Sequence, residues 1–282
     1  MLNYEVIKYI ILEMEHWDIE SHFIMTTNGS KLDDEKIEFL VDHLDEISVS
    51  IDGNQDTQNK HRLFKDNSGS YEKIINSVKK LIKEIKGKET SLRARMTITT
   101  DTCNDLYDNI KFLYNMGFKI IVPVLDNSNT ADWTSEHLET IVSSIKRCYE
   151  ELYLEDDLMI SLIEAISYKH LSDCRAGEVT MHISPIGEIY PCSYVMNNRE
   201  FLLGDVNNGL MEDQIEKLRG INEQGTECRG NCAWYGLCNG TRCKLINYVQ
   251  TGDYYKPSFC TCFNEKLQLA VNRSCKKLQP RI

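Results

Sequence analysis

Eleven cysteines punctuate this 282-residue chain, and nine of them fall between residues 174 and 275. Eight of these read as ligand sets: Cys174 and Cys192, then Cys228, Cys232, Cys238 and Cys243, then Cys260 and Cys262. Three, five and four residues separate the central four, so one loop can turn several sulfurs toward a common point. Clustered thiolates of that kind suit tetrahedral zinc or iron–sulfur clusters. Eight sulfurs provide for two such centres. A disulfide framework is the competing reading of the same spacing. Residues Met1 to Trp17 count against it, because their interspersed Glu and Lys read as an amphipathic helix rather than a secretory leader. The expectation is a cytoplasmic protein with reduced thiols. Cys103, Cys148 and Cys275 lie on or near helical patterns and read as free thiols.

Composition narrows the class. Hydrophobic residues make up 41% of the chain and the formal net charge is −11. That charge repels phosphates overall and argues against a nucleic-acid partner. No uncharged apolar run approaches the length of a membrane span. A chain of this length holds one large domain or two ordinary ones.

The elements that must position the cysteines begin with a repeated strand–helix unit. Val6, Ile7, Ile10, Ile11 and Met14 make a helical stripe through residues 3–17. Strands are predicted at 22–26, 46–51, 91–99 and 119–125. Between them lie helices opened by Asp33 and Ser70 and a third over 106–115, stopped by Gly117; Thr134 opens a fourth after the last strand. Strands separated by helices of this length imply parallel pairing and an α/β fold. The strand ends carry Thr27-Asn28-Gly29, Ser50 to Gly53, Thr99-Thr100 and Asp126-Asn127. That edge is where parallel sheets bind ligands, although the same residues also serve as ordinary turn formers. In the second half, Pro185 to Glu188 reads as a hairpin turn between strands at 179–183 and 188–190, returning Cys192 toward Cys174.

Together these segments resemble the radical S-adenosylmethionine enzymes that carry a C-terminal SPASM domain. Ile24 to Gly29 and Ser48 to Gly53 look like strands three and four of that family's six-unit partial (β/α) barrel, and Arg95 to Thr99 and Val122-Pro123-Val124 look like strands five and six. The spacing Cys174-x12-Gly187-x4-Cys192, the Tyr190-Pro191-Cys192 ending and the following Gly204-Asp205-Val206 fit the SPASM opening. The resemblance implies an incomplete barrel over 1–155, a linker helix over 156–173, a small cysteine-rich α+β SPASM domain over 174–262, and a C-terminal helix and tail over 263–282. It also implies S-adenosylmethionine at Thr27, Asn28, Ser50, Asp52, Arg95, Val122 and Val124.

The resemblance further implies two auxiliary 4Fe-4S clusters. Cys174, Cys192 and Cys243 would ligate the first, and Cys228, Cys232, Cys238 and either Cys260 or Cys262 the second. The first set then has an open iron site, or takes the spare of Cys260 and Cys262. The intervals depart from the family's two, five and three, lengthening the loop at both ends. Trp234, Tyr235 and Leu237 lie inside that loop, where they would shield a cluster from water or serve packing alone.

The family's Cys-x3-Cys-x2-Cys loop and Gly-Gly-Glu-Pro segment do not occur in these residues. The expectation is a chain that begins inside the barrel and does not cleave S-adenosylmethionine alone, being either truncated or completed by another polypeptide. Ser193 occupies the position where sulfatase-maturing members place an acidic base. The resemblance therefore favours post-translational, thioether-type cross-linking of a ribosomally made, cysteine-containing peptide over sulfatase maturation. A non-catalytic zinc- or iron–sulfur-binding module that binds peptides is the reading from a different class.

Overall fold

The computed structural model describes residues 3–128, 132–153, 157–164, 175–225, 227–228, 232 and 243–276. In chain order the elements are α1 (Tyr4–Glu15), β1 (Ile24–Thr27), α2 (Asp34–His43), β2 (Glu46–Ser50), α3 (Gln55–His61), α4 (Tyr71–Glu84), β3 (Ser91–Ile98), α5 (Leu106–Met116), β4 (Ile120–Leu125), α6 (Ser135–Glu151), β5 (Met159–Ile160) and α7 (Ser161–Glu164). They continue with β6 (His182–Ile183), β7 (Glu188–Tyr190), β8 (Gly204–Asp205), β9 (Gly209–Leu210), α8 (Glu212–Glu223), α9 (Lys244–Thr251) and α10 (Phe259–Lys276). The chain divides into two units. The first contains residues up to Asp126, Ala131–Ile166 and the end from Ala270; the second contains Asn127–Thr130 and Ser167–Leu269.

The first unit is built on a five-stranded sheet in the order β1-β2-β3-β4-β5, parallel throughout. Alternation along the strands decides its faces. Ile47, Val49, Leu92, Ala94, Met96, Ile98, Ile121 and Leu125 are buried on one side. Ile37 and Leu40 of α2, Val78 and Leu81 of α4, Ile110 and Leu113 of α5 and Ile141 and Ile145 of α6 supply the helical half of the core. Each such aliphatic side chain contributes about 1.5–3 kcal/mol by leaving water.

Two of the predicted caps form as expected. Asp33 accepts the Lys36 N–H, and Thr134 accepts that of His137 in a reciprocal capping box. Ser70 stands at the right place but caps nothing; its hydroxyl accepts from Gln58 Nε2 at 3.3 Å. The fifth strand lies where the sequence reads as a linker helix: residues 159–160 pair with β4 and 161–164 form one helical turn. Two residues are too few to carry a period. The short α3 also goes unpredicted, because its sequence is entirely polar and presents no apolar stripe.

The second unit holds a four-stranded antiparallel sheet, β6-β7-β8-β9. The predicted hairpin is present, with Gly187 at φ +85° and its N–H donating to Ser184 O at 2.9 Å. Its first strand is shorter than expected, covering only His182–Ile183. A core of Ile189, Tyr190, Val195, Phe201, Leu203, Leu218 and Leu245 joins this sheet to α8 and α9. The C-terminal helix starts at Phe259 rather than at 263, so Cys260 and Cys262 are helical.

Candidate functional site

Strand register collects several of the predicted binding residues in one row. Ser50 of β2 is opposite Arg95 of β3, which is opposite Val122 of β4. Thr97 and Val124 form the next row. These side chains alternate with the buried set, so they share the opposite, more open face of the sheet. Thr27 and Asn28 are used differently. Thr27 Oγ1 accepts the Gly29 N–H at 3.1 Å, and Asn28 Oδ1 accepts from Ser30 N at 3.1 Å and Ser30 Oγ at 2.9 Å. Both hold the turn after β1.

Beside this face, at the carboxyl ends of the strands, lies a cavity of about 290 Å³. Asp52, Thr57, His61, Arg62, Thr97, Thr99, Thr102 and Asp126 line it. Asp52 is buried and committed to its neighbours: Arg62 clamps both carboxylate oxygens, and Oδ1 also accepts the Thr97 N–H at 2.8 Å. Arg62 Nη2 donates in addition to Thr97 Oγ1 at 3.1 Å. Asp52 therefore holds Arg62 and β3 in place at the cavity wall, and the polar groups around it are mainly hydroxyls.

Asp101 sits just outside. Its oxygens are 3.0 and 3.1 Å from His61 Nε2, and one is 2.9 Å from Lys60 Nζ. Burial pushes the Asp101 carboxyl up, but bonds from Thr99, Lys60 and His61 outweigh it and leave the carboxyl well below the usual range. His61 and Arg62 come from α3 and its C-terminal edge, the segment without apolar periodicity. The signal available in the sequence was a basic pair shortly after the Asp52-Gly53 turn.

The cysteines fall into neighbourhoods. Cys192, just after β7, and Cys243, at the head of α9, both pack against the core of the second unit. Cys243 Sγ accepts the Ile246 N–H at 3.4 Å as the helix cap. Cys262 stands in the electrostatic field of Cys228 and Cys232; burial, then the Cys228 thiol, push its own thiol up. Cys260 Sγ is 3.7 Å from Ser128 O. Cys174, Cys238, Trp234, Tyr235 and Leu237 lie outside the described residues. Among the described residues no three candidate ligands converge on one point, and none of the nine described cysteines is in a disulfide.

The chain matches no family model. It is 22% identical over 246 residues to a cysteine-type anaerobic sulfatase-maturating enzyme of Clostridium novyi (strain NT), covering 78% of this chain and 63% of that protein. It is 23% identical over 266 residues to the antilisterial bacteriocin subtilosin biosynthesis protein AlbA of Bacillus subtilis (strain 168), covering 87% of this chain and 55% of that one. The chain thus spans somewhat more than half the length of these curated relatives. In fold it is similar to native anSMEcpe with bound AdoMet, with a TM-score of 0.75 at 15% identity over 98% of this chain and 81% of that chain. It is also similar to Streptococcus suis SuiB bound to S-adenosylmethionine, with a TM-score of 0.62 at 15% identity over 91% and 62%. At these identities the structural likeness establishes the α/β fold with its parallel sheet. No described helix is long and apolar enough to cross a membrane.

Proposed function

We propose that this chain is the peptide-modifying portion of a radical S-adenosylmethionine protein of the SPASM type: a partial barrel that takes S-adenosylmethionine, followed by a domain with two auxiliary iron–sulfur clusters. The observation that carries this reading is the row Ser50, Arg95 and Val122 beside a polar cavity at the strand ends. The fold likeness to proteins solved with that cofactor supports it. The open sheet face and the hydroxyls of Thr57, Thr97, Thr99 and Thr102 suit a ribose-sized polar group, while Val122 and Val124 offer an apolar wall to a base.

The thiols present fit iron–sulfur clusters. Cys262 feels the charge of Cys228 and Cys232, with Cys238 the expected fourth of that set, and Cys192 and Cys243 pack against one core, with Cys174 the expected third. Such clusters supply one-electron chemistry or an iron site for a substrate sulfur when bound. The chain's own part is to place the thiolates and to exclude water with the second-unit core. A peptide is the proposed substrate, since one similar structure is a complex with the Kp18Cys peptide and another with the precursor peptide SuiA. We favour cysteine thioether cross-linking. Sulfatase maturation is the second reading, favoured by the Clostridium relative and opposed by Ser193.

The deciding experiment incubates reconstituted chain with S-adenosylmethionine and dithionite under anaerobic conditions. These residues contain no Cys-x3-Cys-x2-Cys, so the expected result is cofactor binding without 5′-deoxyadenosine, and cleavage once a polypeptide carrying those thiolates is added. Cleavage by this chain alone, or no cofactor binding with the partner present, counts against the proposal.

A further inference from the structure

Two buried side-chain amides hold the loop after β2, and neither lines the cavity. Asn109 of α5 is 1% exposed. Its Oδ1 accepts the Asn54 N–H at 3.0 Å and its Nδ2 donates to Thr57 Oγ1 at 2.9 Å. A backbone N–H can only donate, so the amide's orientation is fixed by its first partner. Gly53, the residue before Asn54, has φ +140°, and a Cβ there would come to 2.0 Å from Asn109 Oδ1. From the other side Gln58, fully buried, accepts the Asp52 N–H at 2.8 Å. Burying an amide is costly unless its hydrogen bonds are made. Asn109 therefore locks a loop of which Asp52 and Thr57 face the cavity.

We infer that Asn109 is a positioning residue for the cavity, acting through Thr57. Because Thr57 Oγ1 already accepts from Asn109, its own hydroxyl proton is left to be donated, so Thr57 offers a donor to an acceptor group such as a ribose or ring nitrogen. This rests on reading the cavity as the cofactor pocket.

The test uses the full reconstituted chain, the probe S-adenosylhomocysteine and two readouts: calorimetric affinity and hydrogen exchange over residues 52–58. Asn109→Ala is expected to lose about tenfold in affinity, the scale of one hydrogen bond, and to raise exchange at 53–57. Gly53→Ala, which pushes on the same amide, is expected to do the same. Ile145→Val, in the core away from the loop, controls for general destabilisation and is expected to change neither readout. Thr57→Val separates the hydroxyl from the lock, losing affinity with a smaller rise in exchange. Unchanged exchange in Asn109→Ala overturns the inference, as does unchanged affinity where the parent chain binds. If the parent chain binds no probe, the cofactor reading fails, and exchange alone then decides whether Asn109 locks the loop.

Discussion

Cys260 and Cys262, two residues apart in the first turn of α10, serve different surroundings. A helix turns about 100° per residue, so their side chains leave the axis about 200° apart. Cys260 Sγ is 3.7 Å from Ser128 O, while Cys262 feels the charge of Cys228 and Cys232. One helix turn cannot present both to the same centre.

We propose Cys262 as the distal ligand of the second cluster, because the charge of Cys228 and Cys232 bears on its thiol. Cys262→Ser should lose about half of the bound iron, whereas Cys260→Ser should keep the cluster of Cys228 and Cys232 intact. Iron analysis with electron paramagnetic resonance of the reduced protein separates the two. Equal loss in both variants would return the assignment to Cys260 and Cys262 jointly.

The thiols outside the ligand sets should be inert in the folded chain. Burial pushes Cys148 up to about 12 and Cys275 up to about 11, and only the thiolate is nucleophilic. Iodoacetamide at pH 8 should leave both unlabelled until denaturant is added, as read by peptide mass spectrometry. Rapid native labelling of Cys148 would contradict its burial.

Asp101 gives the stability a defined pH dependence. Its carboxyl titrates lower in the folded chain than in the unfolded one, so its contribution is complete above an unfolded value of about 3.9 and fades as pH falls through the folded one. Asp101→Asn should melt below the parent at pH 7, with the gap closing as pH is lowered under about 4. A gap constant over that range would remove Asp101 from the acid response.

Among the described residues β1 is an edge strand paired only with β2, and Ile24 is 65% exposed there. Such an edge favours association between chains, and a lysine blunts it. Ile24→Lys should reduce aggregation on light scattering while shifting Tm little. A large fall in Tm would mean that Ile24 is covered in solution.

Much of the first unit was legible because its elements are long and periodic. Ile37, Leu40 and Val41, or Ile74, Val78 and Leu81, mark a buried helix face without help from the rest of the chain. β3 was legible only as a strand; the structure adds that Leu92, Ala94 and Met96 are its buried face, alternating with Arg93 and Arg95. The cavity was less legible. Asp52 stood out in the sequence as a ligand residue, but the structure commits it to Arg62 and Thr97, because a carboxylate buried at a strand end must be paired. Its partners come from α3, whose polar sequence has no period. Cys260 and Cys262 were indistinguishable by spacing alone; the earlier start of α10 is what separates them.

The most direct test of the central claim is the metal content of the chain after anaerobic reconstitution with iron and sulfide. Two 4Fe-4S clusters predict about eight irons and about eight acid-labile sulfides per chain, a brown colour, and loss of iron from a single site in Cys228→Ser. Stoichiometric zinc with no iron uptake would contradict the account and leave the cysteines as a structural metal module.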